Sequence, residues 1–146
     1  MLKEKELAPN FSLADQFGKI HSLSEHKGRY VLLYFYPKDD TPGCTKEACV
    51  IRDLYKDFEL NNVKVLGVNS DSVESHRKFA NKYNLPFTLL SDPKKEVLKL
   101  YDAGFIFVKR ISYLIGPDGK VAKVYPKVSP TEHGVEILKD IYSLKN

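Results

Sequence analysis

Two cysteines, Cys44 and Cys49, are the residues of this chain best suited to covalent chemistry. A buried strand is predicted to end at Pro37, and Cys44 falls in the first turn of a helix predicted to begin near Pro42. In open α/β sheets, ligand sites gather at this carboxyl end of the strands. The unpaired N–H groups and positive dipole end of a helix N-terminus favour thiolate over thiol. The position of Cys44 therefore predicts a nucleophile, although an unplaced free cysteine is usually a small buried hydrophobe.

The spacing of the two cysteines bears on whether they form a static disulfide. In an intact helix, five residues correspond to a rise of about 7.5 Å and a rotation of about 140°, which separates the two Cα atoms by about 8.6 Å. A disulfide needs a Cα separation of about 7 Å or less. Cys49 is therefore either a core residue or the partner of Cys44 in a cycle that unfolds the first helical turns. The sequence alone leaves both interpretations open.

Thr41 and Gly43, directly before Cys44, each have a structural and a functional interpretation. The Thr41 hydroxyl either caps the helix or points at the molecule that the thiolate attacks. Gly43 either lets a ligand approach the backbone closely or serves only the turn.

The elements that must position these residues are predicted from hydrophobic periodicity and turn signals. Short strands at residues 11–13 and 20–23 form a hairpin, and the continuous apolar run at residues 30–35 is typical of a buried strand. Residues 63–68 are predicted to form a second buried strand and residues 87–90 a third, short strand. A second hairpin covers residues 111–125. Four helices are predicted. The first begins near Pro42 and the second at Asp71 or Ser72; the third is capped by Asp92 and reaches Leu100, and the fourth is opened by a capping box at Ser129–Glu132. The first has Ile51, Leu54, Tyr55 and Phe58 on one face, and the fourth has Val135, Leu138 and Tyr142 on one face.

This order of elements predicts an α/β fold with a central mixed sheet, flanked by helices and preceded by an N-terminal β-hairpin. A thioredoxin-like arrangement is one economical packing of that order. With 146 residues and no linker-like or repeated segment, the chain is expected to form a single domain over residues 1–146.

The composition excludes several classes of protein. A hydrophobic fraction of 42% is too high for a disordered chain. The net charge of +4 comes from lysines spread along the sequence, which indicates a solvated surface rather than a nucleic-acid partner. No apolar run approaches the roughly 20 residues that cross a bilayer, and the charged N-terminus lacks the apolar core of a signal peptide. We therefore expect a cytoplasmic protein with no membrane or nucleic-acid partner.

The cysteines are too few for a disulfide framework. The four histidines, His21, His26, His76 and His133, show no zinc-site spacing beside them. Neither a metal nor a cofactor is expected.

The segment around Cys44 also resembles a known family. Pro37-x-x-x-Thr41-x-x-Cys44 matches the P-x-x-x-T-x-x-C signature of peroxiredoxins, and residues 34–47 resemble the peroxiredoxin Q subfamily, also called bacterioferritin comigratory proteins. Similar blocks lie before it at residues 7–11 and after it at residues 67–72 with 75–76, 85–92 and 110–115, so that the resemblance spans nearly the whole chain.

The resemblance implies a thioredoxin-like fold and a thiol peroxidase that reduces hydrogen peroxide and organic hydroperoxides. It makes Cys44 the peroxidatic cysteine and Cys49 the resolving cysteine on the same helix. A sulfenic acid on Cys44 would give way to a Cys44–Cys49 disulfide, which a thioredoxin-like dithiol protein would reduce. No metal or organic cofactor takes part in this chemistry.

The resemblance also implies roles for three further residues. Thr41 would orient the peroxide and the thiolate, Pro37 would shield the pocket from water, and Arg110 would stabilise the thiolate and the polarised O–O bond. Without the resemblance, Arg110 would be taken for a surface charge at a strand start. Glu47, in the same motif, is expected to be a hydrogen-bond partner rather than an acid catalyst.

The chain departs from the subfamily pattern outside these residues. Asn69 replaces the usual Ser or Thr, Gly116 replaces a common acid, and residues 102–109 form a shorter, more apolar loop. Its segment 104–108 is predicted to be a pocket rim or a contact surface, so the oligomeric state is expected to be a monomer or a weak homodimer.

Two other functions compete with the peroxidase. A dithiol–disulfide oxidoreductase would need a C-x-x-C motif, which the chain lacks. A holdase or binding module on the same fold would use the basic surface or the segment 104–108, and would work without Cys44.

Overall fold

The computed structural model describes residues 1–145. Within them, seven strands form one mixed sheet in the order β2-β1-β5-β4-β3-β6-β7. The strands are β1 Ser12–Ala14, β2 Ile20–Ser22, β3 Tyr30–Phe35, β4 Val63–Asn69, β5 Thr88–Ser91, β6 Ile111–Ile115 and β7 Val121–Tyr125. The α-helices are α1 Pro42–Asp53, α2 Tyr55–Leu60, α3 Val73–Tyr83, α4 Glu96–Leu100 and α5 His133–Lys145, and a short 3₁₀ helix covers Leu23–His26. The mixed sheet and the N-terminal hairpin are as predicted.

Strand β3 lies at the centre of the sheet and carries the chain to the cysteine helix. It pairs in parallel with β4 and antiparallel with β6. From Val31 to Phe35 its residues are at most 2% exposed, which explains the unbroken apolar run in the sequence. Because Phe35 pairs with Ile111, the residue before β6 stands at the end of β3, close to the helix that follows.

Two apolar clusters, one on each face of the sheet, hold the helices in place. One joins β3 to α1, α3 and α5 through side chains such as Tyr34, Ile51 and Ile137. The other joins β3 to α4 and β6 through Phe35 and Leu98. Each fully buried side chain of this size contributes about 1.5–3 kcal/mol. The start of α1 is therefore attached to a rigid scaffold.

The predicted helix after Pro42 is divided in two by the structure. Leu54 ends α1 and precedes α2, with its N–H bonded to the carbonyls of Val50 and Ile51. Ile51 and Phe58 are both buried, as predicted, whereas Leu54 and Tyr55 are only half-buried. The periodicity therefore identified the buried face but could not show the bend within it.

The predicted starts of α4 and α5 and the predicted buried face of α5 are wrong. Asp92 does cap a helix, but a turn containing Lys95 at φ 59° intervenes, and the Asp92 carboxylate reaches the Leu98 N–H at 2.8 Å. The Ser129 hydroxyl pairs with Thr131 instead of capping, so α5 begins at His133. Packing against α1 buries Ile137, Leu138 and Ile141 of α5, while Val135 and Tyr142 are 45% and 47% exposed.

Across residues 1–145 there is no helix with the length and apolar character needed to cross a membrane.

Candidate active site

Cys44 lies in the first turn of α1, where the sequence predicts it. Thr41 is the N-cap residue, and Pro42 occupies the first helical position, where its missing N–H costs no hydrogen bond. The Cys44 side chain is buried, with 2% of the residue exposed. The N-terminal end of the helix therefore acts on a thiol that is largely shielded from water, which strengthens its electrostatic effect.

Arg110 provides the positive charge beside Cys44. It precedes β6, the antiparallel neighbour of β3, and its Nη2 donates to the Cys44 Sγ at 3.5 Å. Its Nη1 donates to Glu47 Oε1 at 2.8 Å. A guanidinium keeps its charge at any working pH, so Arg110 places a permanent positive charge against the Cys44 sulfur.

Gly43 makes this approach of Arg110 possible. A Cβ atom at position 43 would lie 2.9 Å from Arg110 Nη2, closer than Cβ atoms come to other heavy atoms in folded proteins. The function of this glycine is therefore to leave space for the guanidinium, a reason that neither of the two sequence interpretations had identified.

Glu47 is an unusually placed carboxyl, one turn along α1 from Cys44. It is 1% exposed, its Oε1 accepts from Arg110, and its Oε2 has no partner among the described residues. Burial raises the pKa of Glu47 to about 7, although the charge and hydrogen bond of Arg110 oppose the shift. The pKa of Arg110 is raised, since the negative charges of Cys44 and Glu47 outweigh the opposing effect of burial.

Replacement of Glu47 by glutamine is expected to change how stability depends on pH. Because the folded chain holds the Glu47 proton up to about pH 7 and the unfolded chain only to about 4.5, the free energy of unfolding falls as pH rises between these values. This group contributes a slope of up to about 1.4 kcal/mol per pH unit. Urea unfolding of the reduced protein from pH 4.5 to 8 should show a shallower decline in Glu47→Gln. The exposed Glu96→Gln is the matched control, and parallel curves for Glu47→Gln and the unsubstituted chain would contradict this assignment.

Thr41 and Pro37, the other two predicted site residues, lie in the loop before α1. The Thr41 hydroxyl donates to the Lys38 carbonyl at 2.8 Å and makes no capping bond, so in this state it braces the loop. The Pro37 residue is exposed at the loop surface. The roles of Thr41 toward a peroxide and of Pro37 as a shield stay predictions.

A buried network that was not predicted from the sequence holds this loop. Asp39 accepts hydrogen bonds from the Tyr36 hydroxyl (2.6 Å), the Ser75 hydroxyl (2.7 Å) and His76 Nδ1 (2.6 Å). His76 Nε2 donates in turn to the Leu90 carbonyl at 2.9 Å. Burial opposes ionisation of Asp39, but the bond to His76 and its charge outweigh it, and the pKa of Asp39 is lowered. The Ser75-His76 pair within the resembling blocks was the available signal.

Cys49 lies on the same unbroken helix as Cys44, and both are free thiols. It is half-buried and lines a cavity of about 330 Å³ together with Thr41, Lys46 and Tyr83. The intact helix keeps the two sulfur atoms on different faces, so the two cysteines cannot join without a local change in α1.

The chain is similar to known proteins over most of its length. The model of the AhpC/TSA family matches residues 5–124. The chain is 46% identical to peroxiredoxin Q of Sedum lineare over 142 residues, covering 94% of this chain and 76% of that protein. It is 38% identical to peroxiredoxin Bcp of Bacillus subtilis over 143 residues, covering 92% and 91%.

The chain belongs to the AhpC/TSA family. Within it, the chain is a peroxiredoxin of the Q/Bcp group. The Xanthomonas campestris bacterioferritin comigratory protein, whose solved structure concerns its alkyl peroxide reduction activity, superimposes with a TM-score of 0.89 at 30% identity, covering 93% of this chain and 92% of that one. The predicted thioredoxin-like fold is thereby confirmed.

The predicted thiol peroxidase activity is confirmed as well, and with it a requirement for a peroxide substrate and a reductant.

Proposed function

We propose that Cys44 is the peroxidatic cysteine and that the cycle runs through a Cys44–Cys49 disulfide. The observation that carries this proposal is the contact of Arg110 Nη2 with a buried Cys44 Sγ at 3.5 Å, at a helix N-terminus. The Cys44 thiolate attacks the terminal oxygen of the peroxide, an S–O bond forms and the O–O bond breaks. The leaving oxygen takes a proton and departs as water or alcohol, and Cys44 becomes a sulfenic acid.

Arg110 and the N-terminus of α1 stabilise this transfer because both carry positive charge where negative charge develops. Arg110 Nη1 donates to Glu47 Oε1 at 2.8 Å, and this bond fixes the direction in which Nη2 points toward Cys44. Thr41 lies at the N-cap, and its hydroxyl is free to turn from the Lys38 carbonyl toward a peroxide oxygen.

The disulfide step requires the first turn of α1 to unwind. In this turn Pro42 is exposed and Gly43 has no side chain, so Cys44 is the residue that attaches it to the core, whereas Ala48 and Ile51 hold the rest of the helix. Once Cys44 leaves the turn, the Cys49 thiolate attacks its sulfur and an S–S bond forms as the S–O bond breaks; the sulfenic oxygen takes a proton from solvent and leaves as water. The cavity beside Cys49 offers a place for an incoming dithiol protein of the thioredoxin type, which reduces the disulfide by exchange of two electrons.

The proposal extends to the setting of the enzyme. Residues 1–146 act as one peroxiredoxin domain, as a monomer or weak homodimer, with the exposed Phe105, Ile106 and Phe107 as the contact surface. The cytoplasm is the proposed location because thiol recycling favours a reducing compartment, although the Sedum relative is chloroplastic.

Disulfide mapping after a single oxidation tests the proposed cycle. Reduced protein is treated with one equivalent of hydrogen peroxide or of an organic hydroperoxide, quenched with a thiol-alkylating reagent, and analysed by mass spectrometry. We expect a peptide containing the Cys44–Cys49 bond. An alkylated, unoxidised Cys44 would overturn the role of this residue, and a sulfenic acid with alkylated Cys49 would overturn only the disulfide.

A further inference from the structure

A second group of titratable side chains lies away from the cysteines, on β2 and the 3₁₀ helix that follows it. His21, Glu25 and His26 each place one ligand atom so that the three atoms lie within 4.8 Å of one another. The two histidines are 8% and 6% exposed, whereas Glu25 is exposed. The fold therefore brings together groups that the sequence, read for zinc-site spacing, had left apart.

Two nitrogens of this cluster are buried without a hydrogen-bond partner among the described residues: His21 Nδ1 and His26 Nε2. Buried polar atoms are nearly always paired, so two unpaired ones in one cluster need an explanation. The two rings are stacked, with centroids 6.1 Å apart. A ligand that binds both nitrogens would satisfy both.

Asp15 prepares His21 to bind through Nδ1. Its Oδ2 lies 2.7 Å from His21 Nε2, and its Oδ1 accepts the N–H groups of Phe17 and Lys19 at 2.8 and 2.9 Å. With Nε2 donating to the Asp15 carboxylate, Nδ1 carries the lone pair. A carboxylate behind a ligating histidine is the usual arrangement at protein metal sites.

We propose that His21 Nδ1, His26 Nε2 and a carboxylate oxygen of Glu25 form a binding site for a divalent first-row metal ion, best suited to Zn²⁺. Two imidazoles and one carboxylate are a ligand set that Zn²⁺ accepts, with a water in the fourth position. Around a tetrahedral Zn²⁺ at about 2.0–2.2 Å, ligand atoms are roughly 3.4 Å apart. The exposed Glu25 and the short 3₁₀ helix would therefore have to move so that the ligand atoms approach one another by up to about 1.4 Å.

Arg29 competes with the metal for His26. Its Nη2 lies 2.8 Å from His26 Nδ1, so without metal Nδ1 accepts this bond and Nε2 carries the proton. Metal binding moves that proton to Nδ1, where it displaces the half-exposed Arg29 guanidinium, and nothing is oxidised or reduced. Arg29 and Lys64 are cations close to His26, and both oppose a bound metal, while the negative charge of Glu25 favours it.

The cluster is separate from the peroxidase centre. His26 lies just before the start of β3, whereas Cys44 comes after the end of β3. Six residues of strand span about 20 Å. His21 lies on β2, and three strands, β1, β5 and β4, lie between β2 and β3 in the sheet.

Calorimetric titration with Zn²⁺ tests the site, in a Cys44→Ser/Cys49→Ser background so that thiolates do not bind the metal. We expect one Zn²⁺ per chain, with affinity at least tenfold lower after His21→Gln or His26→Gln. Asp15→Asn should weaken binding by roughly 10–100-fold, as loss of an outer-shell partner does. Arg29→Gln should tighten it. Glu25→Gln should weaken Zn²⁺ binding, since it removes a proposed ligand. The exposed Glu96→Gln is its control and should leave binding unchanged.

Nuclear magnetic resonance of the histidine ring nitrogens in the same background keeps the test independent of variants that fold poorly. Zn²⁺ should shift the signals of His21 Nδ1 and His26 Nε2 and leave those of His76 and His133 in place. Absence of binding, binding that survives both histidine substitutions unchanged, or shifts confined to the other two histidines would each overturn the proposal.

Discussion

A Cys44→Ser variant is expected to lose peroxide turnover by roughly 10³-fold or more, because removing the nucleophile is among the largest single losses an enzyme can suffer. The residue is 2% exposed at the start of α1, and serine occupies nearly the same volume, so the fold should persist. A hydroxyl beside Arg110 stays protonated and does not attack an O–O bond at a useful rate. The measurement is consumption of hydrogen peroxide and of an organic hydroperoxide with a dithiol protein as donor.

Cys49→Ser separates the two halves of the same cycle. This variant is expected to reduce about one equivalent of peroxide at the rate of the unsubstituted chain and then stop, with Cys44 held as a sulfenic acid that a carbon-acid probe can trap. The reason is geometric: Cys49 lies more than one turn from Cys44 on the intact helix and takes part only after the turn unwinds. Full steady-state turnover by Cys49→Ser would contradict a resolving role, and a slow first equivalent would indicate that Cys49 also shapes the peroxide pocket.

The parts of the fold that depend on local sequence could be predicted from it. Strand β3 has the predicted bounds because every residue from Val31 to Phe35 is buried on a sheet covered on both faces. The start of α4 could not be predicted, since it depends on the Asp92 carboxylate reaching the Leu98 N–H across a turn. The buried face of α5 is likewise decided by which side of the helix meets α1.

The candidate site likewise has some features that depend on neighbouring residues and others that depend on contacts between distant ones. The reactive position of Cys44 follows from neighbouring residues, because a strand, a loop and a helix N-terminus adjoin in the chain. Arg110 lies 66 residues away, and only the family resemblance connected it to Cys44 before the structure did. The burial of Glu47 and the network of Asp39 with His76 depend on packing across α1, α3 and β5, which residue spacing does not reveal.

Arg110→Gln is expected to lower the second-order rate of peroxide reduction by about 10²–10³-fold, the usual loss when one donor to a developing negative charge is removed. Glutamine keeps a polar side chain but not the positive charge that Arg110 places 3.5 Å from Cys44 Sγ. The first oxidation of Cys44 is followed directly by stopped-flow fluorescence of the tyrosines or by competition with a second peroxidase, so that recycling by the donor does not obscure the effect.

A slow Arg110→Gln variant has two possible causes, because removing Arg110 also leaves the buried Glu47 carboxyl without its cation. Breaking a buried ion pair from one side costs about 3–5 kcal/mol when the remaining group stays charged. The double variant Arg110→Gln/Glu47→Gln removes this cost. If Arg110 acts on the sulfur, the single and double variants are equally slow and Glu47→Gln alone is far less affected. Recovery of the rate in the double variant would show that the loss came from the stranded carboxyl.

Gly43→Ala tests the same contact without altering any charge. The added methyl group would lie 2.9 Å from Arg110 Nη2, and the guanidinium, at the end of a flexible side chain, can move away. Loss of one charge-assisted hydrogen bond is worth about 1.5–3 kcal/mol, so the rate should fall by at least about tenfold while stability changes little. Arg110→Lys should resemble Gly43→Ala more than Arg110→Gln, since an ammonium keeps the charge but cannot contact Cys44 and Glu47 in the fixed geometry of the guanidinium. Equal rates for Gly43→Ala and the unsubstituted chain would show that the 3.5 Å approach of Arg110 to Cys44 is not what accelerates the reaction.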